Sequence, residues 1–272
     1  RLDLQASAQA FSSMMIVMGI APIIAPALGS WVLKFFSWHA VFACLSLMGV
    51  VCLLCVHFFF KETLPASRRL HLNFNQVLLL YMAIFKDESF RLPMLIGCFS
   101  GGVLFCYISS SAAVLMDGYG LSQQQFAYAF GANAFGIMLF SALNRRLVPK
   151  TGVMQRLKIG LYLQLAGTAA LLAAGLALHA PLLWAMLGMF LAISGIGFTG
   201  PNAMALAMSQ QGARAGTASA VMGSMQFACG LIGGVMLNFM LWSALLNMAG
   251  VMLLFISIAL LAFSRLQSGK NA

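Results

Sequence analysis

The stretch Gly19–Ser30 reads Gly-Ile-Ala-Pro-Ile-Ile-Ala-Pro-Ala-Leu-Gly-Ser and lies inside an uncharged run, Phe11–Leu33. A run of this length is sufficient to cross a bilayer as a helix. Pro22 and Pro26 cannot donate a backbone hydrogen bond to the carbonyl four residues earlier, so both gaps open on the same helix face. We therefore predict a membrane-spanning helix that bends at these two prolines.

A second row lies along the same helix, because the small residues Ala21, Ala25 and Gly29 recur at every fourth position. Small side chains let two helices approach closely in lipid. The pattern has two interpretations. It is typical of a kinked packing helix in any membrane bundle, and also of a bent, tightly packed helix at the moving interface of a transporter.

The composition excludes an ordinary soluble protein. Hydrophobic residues make up 62% of the chain and charged residues 7%, whereas about a quarter of the residues in a soluble domain are charged. The six cysteines all fall in apolar runs, and we expect them to be small buried side chains. The formal net charge of +10 does not indicate nucleic acid, because the basic residues cluster in loops between the apolar runs.

Seven further apolar runs follow the first, each close to the length that a bilayer requires. They are Trp38–Phe60, Leu92–Met116, Phe126–Leu143, Ile159–Leu178, Leu182–Ala207, Gly216–Leu241 and Leu245–Phe263. Because lipid offers backbone polar groups no water, we predict an all-α membrane protein with eight transmembrane helices. Of the 15 Lys and Arg residues, all but Lys34 lie in loops that share one side. That side is predicted to be cytoplasmic, which places both chain ends inside the cell.

The connection Lys61–Arg91 is the only long polar one in the sequence. Its apolar residues have the spacing of one helix face, and they are Phe74, Val77, Leu78, Tyr81, Ile84 and Phe85. We predict an amphipathic helix on the inner membrane surface. The alternative is a disordered tether that contains apolar residues by chance.

Several short motifs carry a resemblance to a known family. Ala21-Pro-Ile-Ile-Ala25-Pro26-Ala-Leu-Gly29-Ser30 resembles the antiporter motif Gly-x-x-x-Gly-Pro-x-x-Gly-Gly on the fifth helix of the major facilitator superfamily, with three glycines replaced by Ala or Ser. The extra proline is most similar to the Bcr/CflA branch of drug:proton antiporters. Further matches to that branch are Glu62-Thr63-Leu64-Pro65, Phe105-Cys106-Tyr107-Ile108-Ser109 and Pro201-Asn202-Ala203-Met204-Ala205-Leu206-Ala207.

The resemblance implies a bundle of two six-helix halves joined by a long cytoplasmic loop. Residues 1–60 would then be the last two helices of the N-terminal half, 61–91 the central loop with its amphipathic helix, and 92–272 the C-terminal half. Helices one to four are expected to lie outside this chain. The predicted spans contain no Asp or Glu, so we expect the proton-carrying residue on those helices, where the resemblance places an Asp on helix one.

The side chains that line a substrate cavity in these spans are therefore expected to be uncharged. The candidates for lining a cavity are Tyr107, Asn133 and Gln226 in mid-span, with Thr199 and Asn202 nearer the inner end of their span. The alternative is that these side chains bond to a neighbouring helix, as is common in membrane proteins.

Two further features concern helix packing and gating. Gly200 and Pro201, in a segment that begins at Gly195, are expected to bend the sixth span as the prolines bend the first. A row formed by Gly216, Ala220, Ser224 and Ala228 predicts a close-packing face that meets the first span. The basic segment Asn144–Gly152 has two interpretations, a positive-inside anchor and a gating loop.

These features favour a secondary active transporter that exports drug-like small molecules in exchange for protons by alternating access. The alternative is a uniporter or uptake permease for a small apolar metabolite. The spans contain no nucleophile, metal cluster or acid–base pair that would suit an enzyme. We expect no catalytic residue, cofactor, metal or nucleic acid. The expected partners are a drug-like substrate, protons and membrane lipid, and the expected form is a monomer in the inner membrane.

Overall fold

The computed structural model describes residues 3–61, 73–177, 180–212 and 214–271, which form helices and short connections without a strand. Eight helical spans in these residues are long and apolar enough to cross a membrane, as predicted. The helices are α1 Leu4–Phe35, α2 Trp38–Phe59, α3 Phe74–Lys86, α4 Glu88–Ala112, α5 Gln123–Thr151, α6 Val153–Leu176, α7 Leu182–Ser194, α8 Ile196–Met208, α9 Ala215–Phe239 and α10 Ala244–Asn271. A π-helix, Ala113–Gly118, continues α4. The motif Glu62–Pro65 and the basic residues Arg1, Arg68 and Arg69 lie outside the described residues.

Helix α1 carries the proline motif. It begins after Asp3, whose carboxylate accepts a hydrogen bond of 2.6 Å from the backbone N–H of Ala6. The helix continues without interruption through positions 22 and 26 to Phe35. The side chains of Pro22 and Pro26 are outside the described part, so the bend that they suggest stays a prediction.

Helix α2 packs chiefly against α1, and none of its described residues is buried. Its cysteines, Cys44, Cys52 and Cys55, are exposed, so the prediction that every cysteine is buried was wrong for this helix. The prediction holds for Cys98, Cys106 and Cys229, which lie on α4 and α9. The reason is that α4 and α9 have neighbours on several sides, whereas α2 has one principal neighbour.

Helix α3 occupies the central connection where an amphipathic helix was predicted. Ile84 is fully buried, and Leu80, Tyr81 and Phe85 pack around it against α4 and α9. Leu78 is exposed, so the packed face includes Leu80 in its place. The side chains of Phe74 and Val77 lie outside the described residues. The location of α3 on a membrane surface stays a prediction.

Helix α4 is the central helix of the part formed by α4 to α10, since it packs against α8, α9 and α10. It runs parallel to α9 and meets that helix in a regular register. Successive contacts pair Gly97 with Met222, Gly101 with Gln226 and Phe105 with Gly230. On its other side, Phe99 of α4 packs edge-on against Phe255 of α10, with 5.3 Å between ring centroids.

Helices α6 and α7 approach each other closely. A Cβ atom on Gly167 would lie 2.6 Å from the carbonyl oxygen of Gly188, and closer still to the backbone nitrogen of Ala192. The two backbones therefore touch, which glycine permits because it has no side chain. Gly195 separates α7 from α8, whereas α8 continues through Gly200 and Pro201. The interruption of the sixth span thus lies at the start of the predicted segment.

Helix α1 packs against α5 and α8. These contacts lie toward one end of the bundle, which we call the basic end because it carries Arg91, Arg145, Arg146, Lys150, Arg156, Lys158, Arg214 and Arg265. The predicted contact between α1 and the small-residue row of α9 was wrong. Gly216 has no heavy atom within 4 Å of its potential Cβ, and Ala220 and Ser224 are exposed. Helix α9 instead presents Gly230 and Gly233 to α4, which turns the row outward.

Candidate functional site

Among the described residues, three groups of buried polar side chains form hydrogen bonds between helices within the spans, and the first joins α4 to α5. The amide nitrogen of Asn133 donates a hydrogen bond of 2.9 Å to the hydroxyl oxygen of Tyr107 and one of 3.1 Å to the carbonyl of Ala129. The Tyr107 ring stacks on Phe130 at a centroid distance of 5.4 Å. Tyr107 and Asn133 are both buried. This pair forms an aromatic and amide wall that carries no charge.

The second group joins α4, α6 and α8. The hydroxyl of Ser100 donates a hydrogen bond of 2.6 Å to the side-chain oxygen of Gln164 and also contacts the hydroxyl of Thr199. The amide nitrogen of Gln164 returns a bond of 3.2 Å to the Ser100 carbonyl. All three residues are fully buried. Thr199 is thus bonded to a neighbouring helix in the interior.

The third group joins α1, α5 and α8 near the basic end. The amide nitrogen of Asn202 donates to the side-chain oxygen of Asn144, and the amide nitrogen of Asn144 donates to the hydroxyl of Ser12, each at 2.8 Å. The Ser12 hydroxyl donates to the Ala8 carbonyl at 2.7 Å. We call this group the Ser12–Asn144–Asn202 chain. All three residues are fully buried. Their hydrogen bonds connect α1, a membrane-spanning helix of the first pair, to α5 and α8 of the later part.

Gln226 is half-buried on α9 and faces α4. Its amide nitrogen lies 2.7 Å from the position that a Cβ atom on Gly101 would occupy. The structure therefore brings Tyr107 and Asn133 together, but it places Thr199, Asn202 and Gln226 in separate neighbourhoods. Whether these five residues line a substrate cavity stays a prediction.

The small-residue motif of α1 divides into a packed part and an exposed part. Gly19 is buried, and its potential Cβ lies 3.4 Å from the Met138 side chain of α5. Ala21 and Ala25 are exposed, and Gly29 has no heavy atom within 4 Å of its potential Cβ. In the sixth span, Pro201 is buried and the potential Cβ of Gly200 lies 2.7 Å from the methyl carbon of Met15.

The contacts that the structure describes between α1 and the later part lie in the first half of α1. They run from Gln9, which bonds to Arg145, through Ser12 to Gly19. In both halves of α1 some apolar side chains are exposed, among them Met14 and Val17 in the first half and Leu28 in the second. The described side-chain contacts of α1 with α5 and α8 are therefore at the basic end.

Charged groups lie at the ends of the described spans. Glu88 and Asp117 lie in the first and last turns of the span Glu88–Gly118, and Asp87 precedes it. The Ser89 hydroxyl, 2.7 Å from the Asp87 carboxylate, lowers the pKa of that group, while partial burial opposes the shift and the Gln211 amide adds to the lowering. In the described part of the chain, no group of three His, Cys, Asp or Glu residues is suited to hold a metal ion.

Ser12, Ser100, Asn144 and Gln164 were missed as candidates by reasoning from sequence. Gln164, like Asn133, is a lone amide in the middle of an apolar span. The pattern that identified Asn133 could therefore have identified Gln164 as well. Asn144 was noticed only as the first residue of a basic segment. Its partners lie 132 and 58 residues away, a pairing that no local pattern reveals.

The chain is similar to known transporters. The family model described as Major Facilitator Superfamily matches residues 4–234. The chain is 34% identical over 230 residues to the bicyclomycin resistance protein homolog of Haemophilus influenzae, with 82% of this chain and 56% of the relative covered. It is 32% identical over 224 residues to the uncharacterized MFS-type transporter YdgK of Bacillus subtilis, and the match covers 82% of this chain and 56% of that relative. For the multidrug resistance protein MdtL of Citrobacter koseri, the identity is 30% over 219 residues, with 78% and 52% covered. The chain therefore spans about half the length of these relatives.

Proposed function

The chain belongs to the Major Facilitator Superfamily, and from this premise we propose that it is part of a carrier that exports drug-like small molecules in exchange for protons. Its eight apolar spans make it a multi-pass membrane protein. We place the carrier in the inner membrane with the basic end in the cytoplasm, because Lys and Arg are retained on that side. In this proposal α1 and α2 complete an N-terminal half, α4 to α10 form the C-terminal half, and the carrier acts as a monomer.

The observation that carries the proposal is the contact of α1 with α5 and α8 at the basic end, which joins the first pair of helices to the later part. In a carrier built from two halves, alternating access opens and closes contacts between the halves, so that the substrate is exposed to one side at a time. The described contacts support alternating access with the basic end closed.

The proposed substrate class rests on an uncharged cluster of side chains in the spans. Tyr107 and Asn133 are buried beside the half-buried Phe130, and together they combine aromatic rings with hydrogen-bonding groups and no fixed charge. Such a wall suits amphiphilic molecules better than it suits a sugar, which requires several fixed polar groups. We propose Tyr107, Asn133 and Gln226 as cavity residues, with Thr199 and Asn202 in supporting positions. The described spans lack a carboxylate away from their ends, so we assign proton transport to helices that precede this chain in the complete carrier.

The proposal is tested by expressing the complete protein in bacteria that lack their principal drug exporters. Cells that express it are expected to accumulate less drug, and an uncoupler that collapses the proton gradient is expected to restore accumulation. Unchanged accumulation across a broad panel of amphiphilic drugs would contradict drug export. Reduced accumulation that survives the uncoupler would contradict proton coupling.

The Tyr107→Phe variant tests the proposed wall. It keeps the ring that packs on Phe130 but removes the hydroxyl that Asn133 contacts. We expect the pattern of exported drugs to change by a few-fold for compounds that carry hydrogen-bonding groups. Tyr128→Phe is the matched control, because that exposed tyrosine bonds to Gln124 of its own helix. Identical drug profiles for the two variants would remove Tyr107 from the binding site.

A further inference from the structure

Each member of the Ser12–Asn144–Asn202 chain bonds to another member through its side chain. Asn144 donates through its nitrogen to Ser12 and accepts through its oxygen from Asn202. Asn202 also donates to the Phe198 carbonyl at 2.7 Å, and Ser12 donates to the Ala8 carbonyl. The side-chain oxygen of Asn202 has no partner. Asn144 is thus the one side chain of the three that bridges two other helices.

The bridge joins a helix of the first pair to the later part of the chain. Ser12 lies on α1, whereas Asn144 and Asn202 lie on α5 and α8. Next to it, the side-chain nitrogen of Gln9 donates a bond of 3.1 Å to the Arg145 carbonyl, and the methyl of Met15 rests against Gly200. All of these contacts are at the basic end.

The chemistry of the bridge suits a contact that opens and closes. Interhelical hydrogen bonds between neutral side chains in membranes are individually weak. When α1 moves away, Ser12 keeps its bond to Ala8 and Asn202 keeps its bonds to Asn144 and Phe198, so only the bond from Asn144 to Ser12 is lost. Water that enters from the basic end can then bond to the Asn144 amide.

We propose that Asn144 is a latch residue that holds the cytoplasmic end of the carrier closed by tying α1 to α8. Ser12 and Asn202 are its two attachment points. This assignment rests on the proposed alternating access. In this assignment the buried amides influence the equilibrium between the inward-open and outward-open states and do not contact the substrate.

The test compares two neighbouring serines of α1. Ser12→Ala removes the hydroxyl that accepts from Asn144, whereas Ser13→Ala removes one that donates to the Gln9 carbonyl at 3.0 Å within its own helix. Both serines make the same kind of bond to a carbonyl four residues earlier, so the pair differs in the contact with α5. Ser13→Ala is therefore the matched control.

The readout is the accessibility of the basic end. Ala8, whose carbonyl accepts from Ser12 of the Ser12–Asn144–Asn202 chain, is fully buried. A cysteine introduced by Ala8→Cys in the complete protein is therefore labelled by an impermeant maleimide only when α1 moves away. Labelling is measured on inside-out vesicles by peptide mass spectrometry, which separates residue 8 from the native cysteines. Because one such bond shifts a two-state balance modestly, we expect Ser12→Ala to raise the labelling rate by about threefold. Equal rates for Ser12→Ala and Ser13→Ala would overturn the latch.

A second measurement does not depend on the loss of a buried bond. Cysteines at positions 12 and 144 are joined with a short, reducible bifunctional thiol reagent, and efflux is measured before and after reduction. We expect the joined protein to lose export and to regain it on reduction. Export that persists in the joined protein would show that α1 and α5 do not separate there. Labelling at position 8 requires no drug, so failure of the latch is distinguishable from failure of drug export.

Discussion

The contact between α6 and α7 and the contact of α1 with α5 and α8 are both rich in small residues, yet they are built differently. At Gly167, the atoms nearest to a potential Cβ are backbone atoms of Gly188 and Ala192. At Gly200 the nearest atom is the terminal methyl carbon of the flexible Met15 side chain. At Gly19 the Met138 side chain and the Ala134 carbonyl oxygen lie at the ordinary contact distances of 3.4 and 3.5 Å. The first contact presses one backbone against another, whereas the second contains no backbone overlap and is filled chiefly by methionine side chains.

This difference separates a permanent interface from a changeable one. Two touching backbones cannot move apart by a rotamer change, because the whole helix must shift. Methionine has three rotatable bonds and re-packs easily, and the hydrogen bonds beside it are neutral and few. The part formed by α4 to α10 is therefore expected to move as one unit, while α1 is expected to move against it.

The largest effect is expected from Gly167→Ala, which tests the permanent interface. The added methyl would overlap the backbone of α7, so the helices must separate. Overpacking of this kind costs about 1–3 kcal/mol and occasionally more. We expect a clearly lower melting temperature and a lower yield of monodisperse protein, measured by fluorescence-detected size-exclusion chromatography. A melting temperature equal to that of the unmodified protein would show that this interface also yields.

An intermediate effect is expected from Asp87→Ala, which tests how firmly the basic end of α4 is held. The Asp87 carboxylate caps α4 through the Ser89 N–H at 3.0 Å and accepts from Gln211 at 2.7 Å. Loss of such a cap costs about 1 kcal/mol. We expect a lower melting temperature in the Ala variant, whereas Asp87→Asn should retain most of the cap.

The same residue predicts a dependence on pH. The pKa of Asp87 in the folded protein lies below its ordinary value of 3.8, so its carboxylate contributes full stability above that value. The contribution is lost as the pH falls through the lowered pKa. We expect Asp87→Asn to remove this part of the acid sensitivity when melting is compared between pH 7 and pH 3. An unchanged pH profile would exclude a contribution from this carboxylate.

The smallest effect is expected from Gly200→Ala, which tests the changeable interface. The added methyl would meet the terminal methyl of Met15, and that group can rotate away. We expect a melting temperature close to that of the unmodified protein in the same assay as for Gly167→Ala. A loss as large as that of Gly167→Ala would abolish the distinction between the two interfaces.

The candidate site was predicted only in part. Single amides and a tyrosine inside apolar spans identified Tyr107, Asn133 and Asn202 as unusual, but their partners were not identified. The small-residue row at Gly216 was assigned to a contact with α1 that the described residues do not make, because a row of small residues specifies close packing and not the identity of the neighbour. Asn144 has a role that depends on Ser12 and Asn202, and these are brought together by the packing of three helices.

The amino-acid sequence by itself determined that the chain spans a membrane, where its helices lie and which ends carry the positive charge. These properties follow from the transfer of each segment between water and lipid, which depends on local composition. The tertiary structure alone decided which faces meet, that α1 rests on α5 and α8, and that a buried amide bridges them at the basic end. Such pairings arise from side-chain shape and hydrogen-bond geometry between distant segments, which lipid solvation does not distinguish.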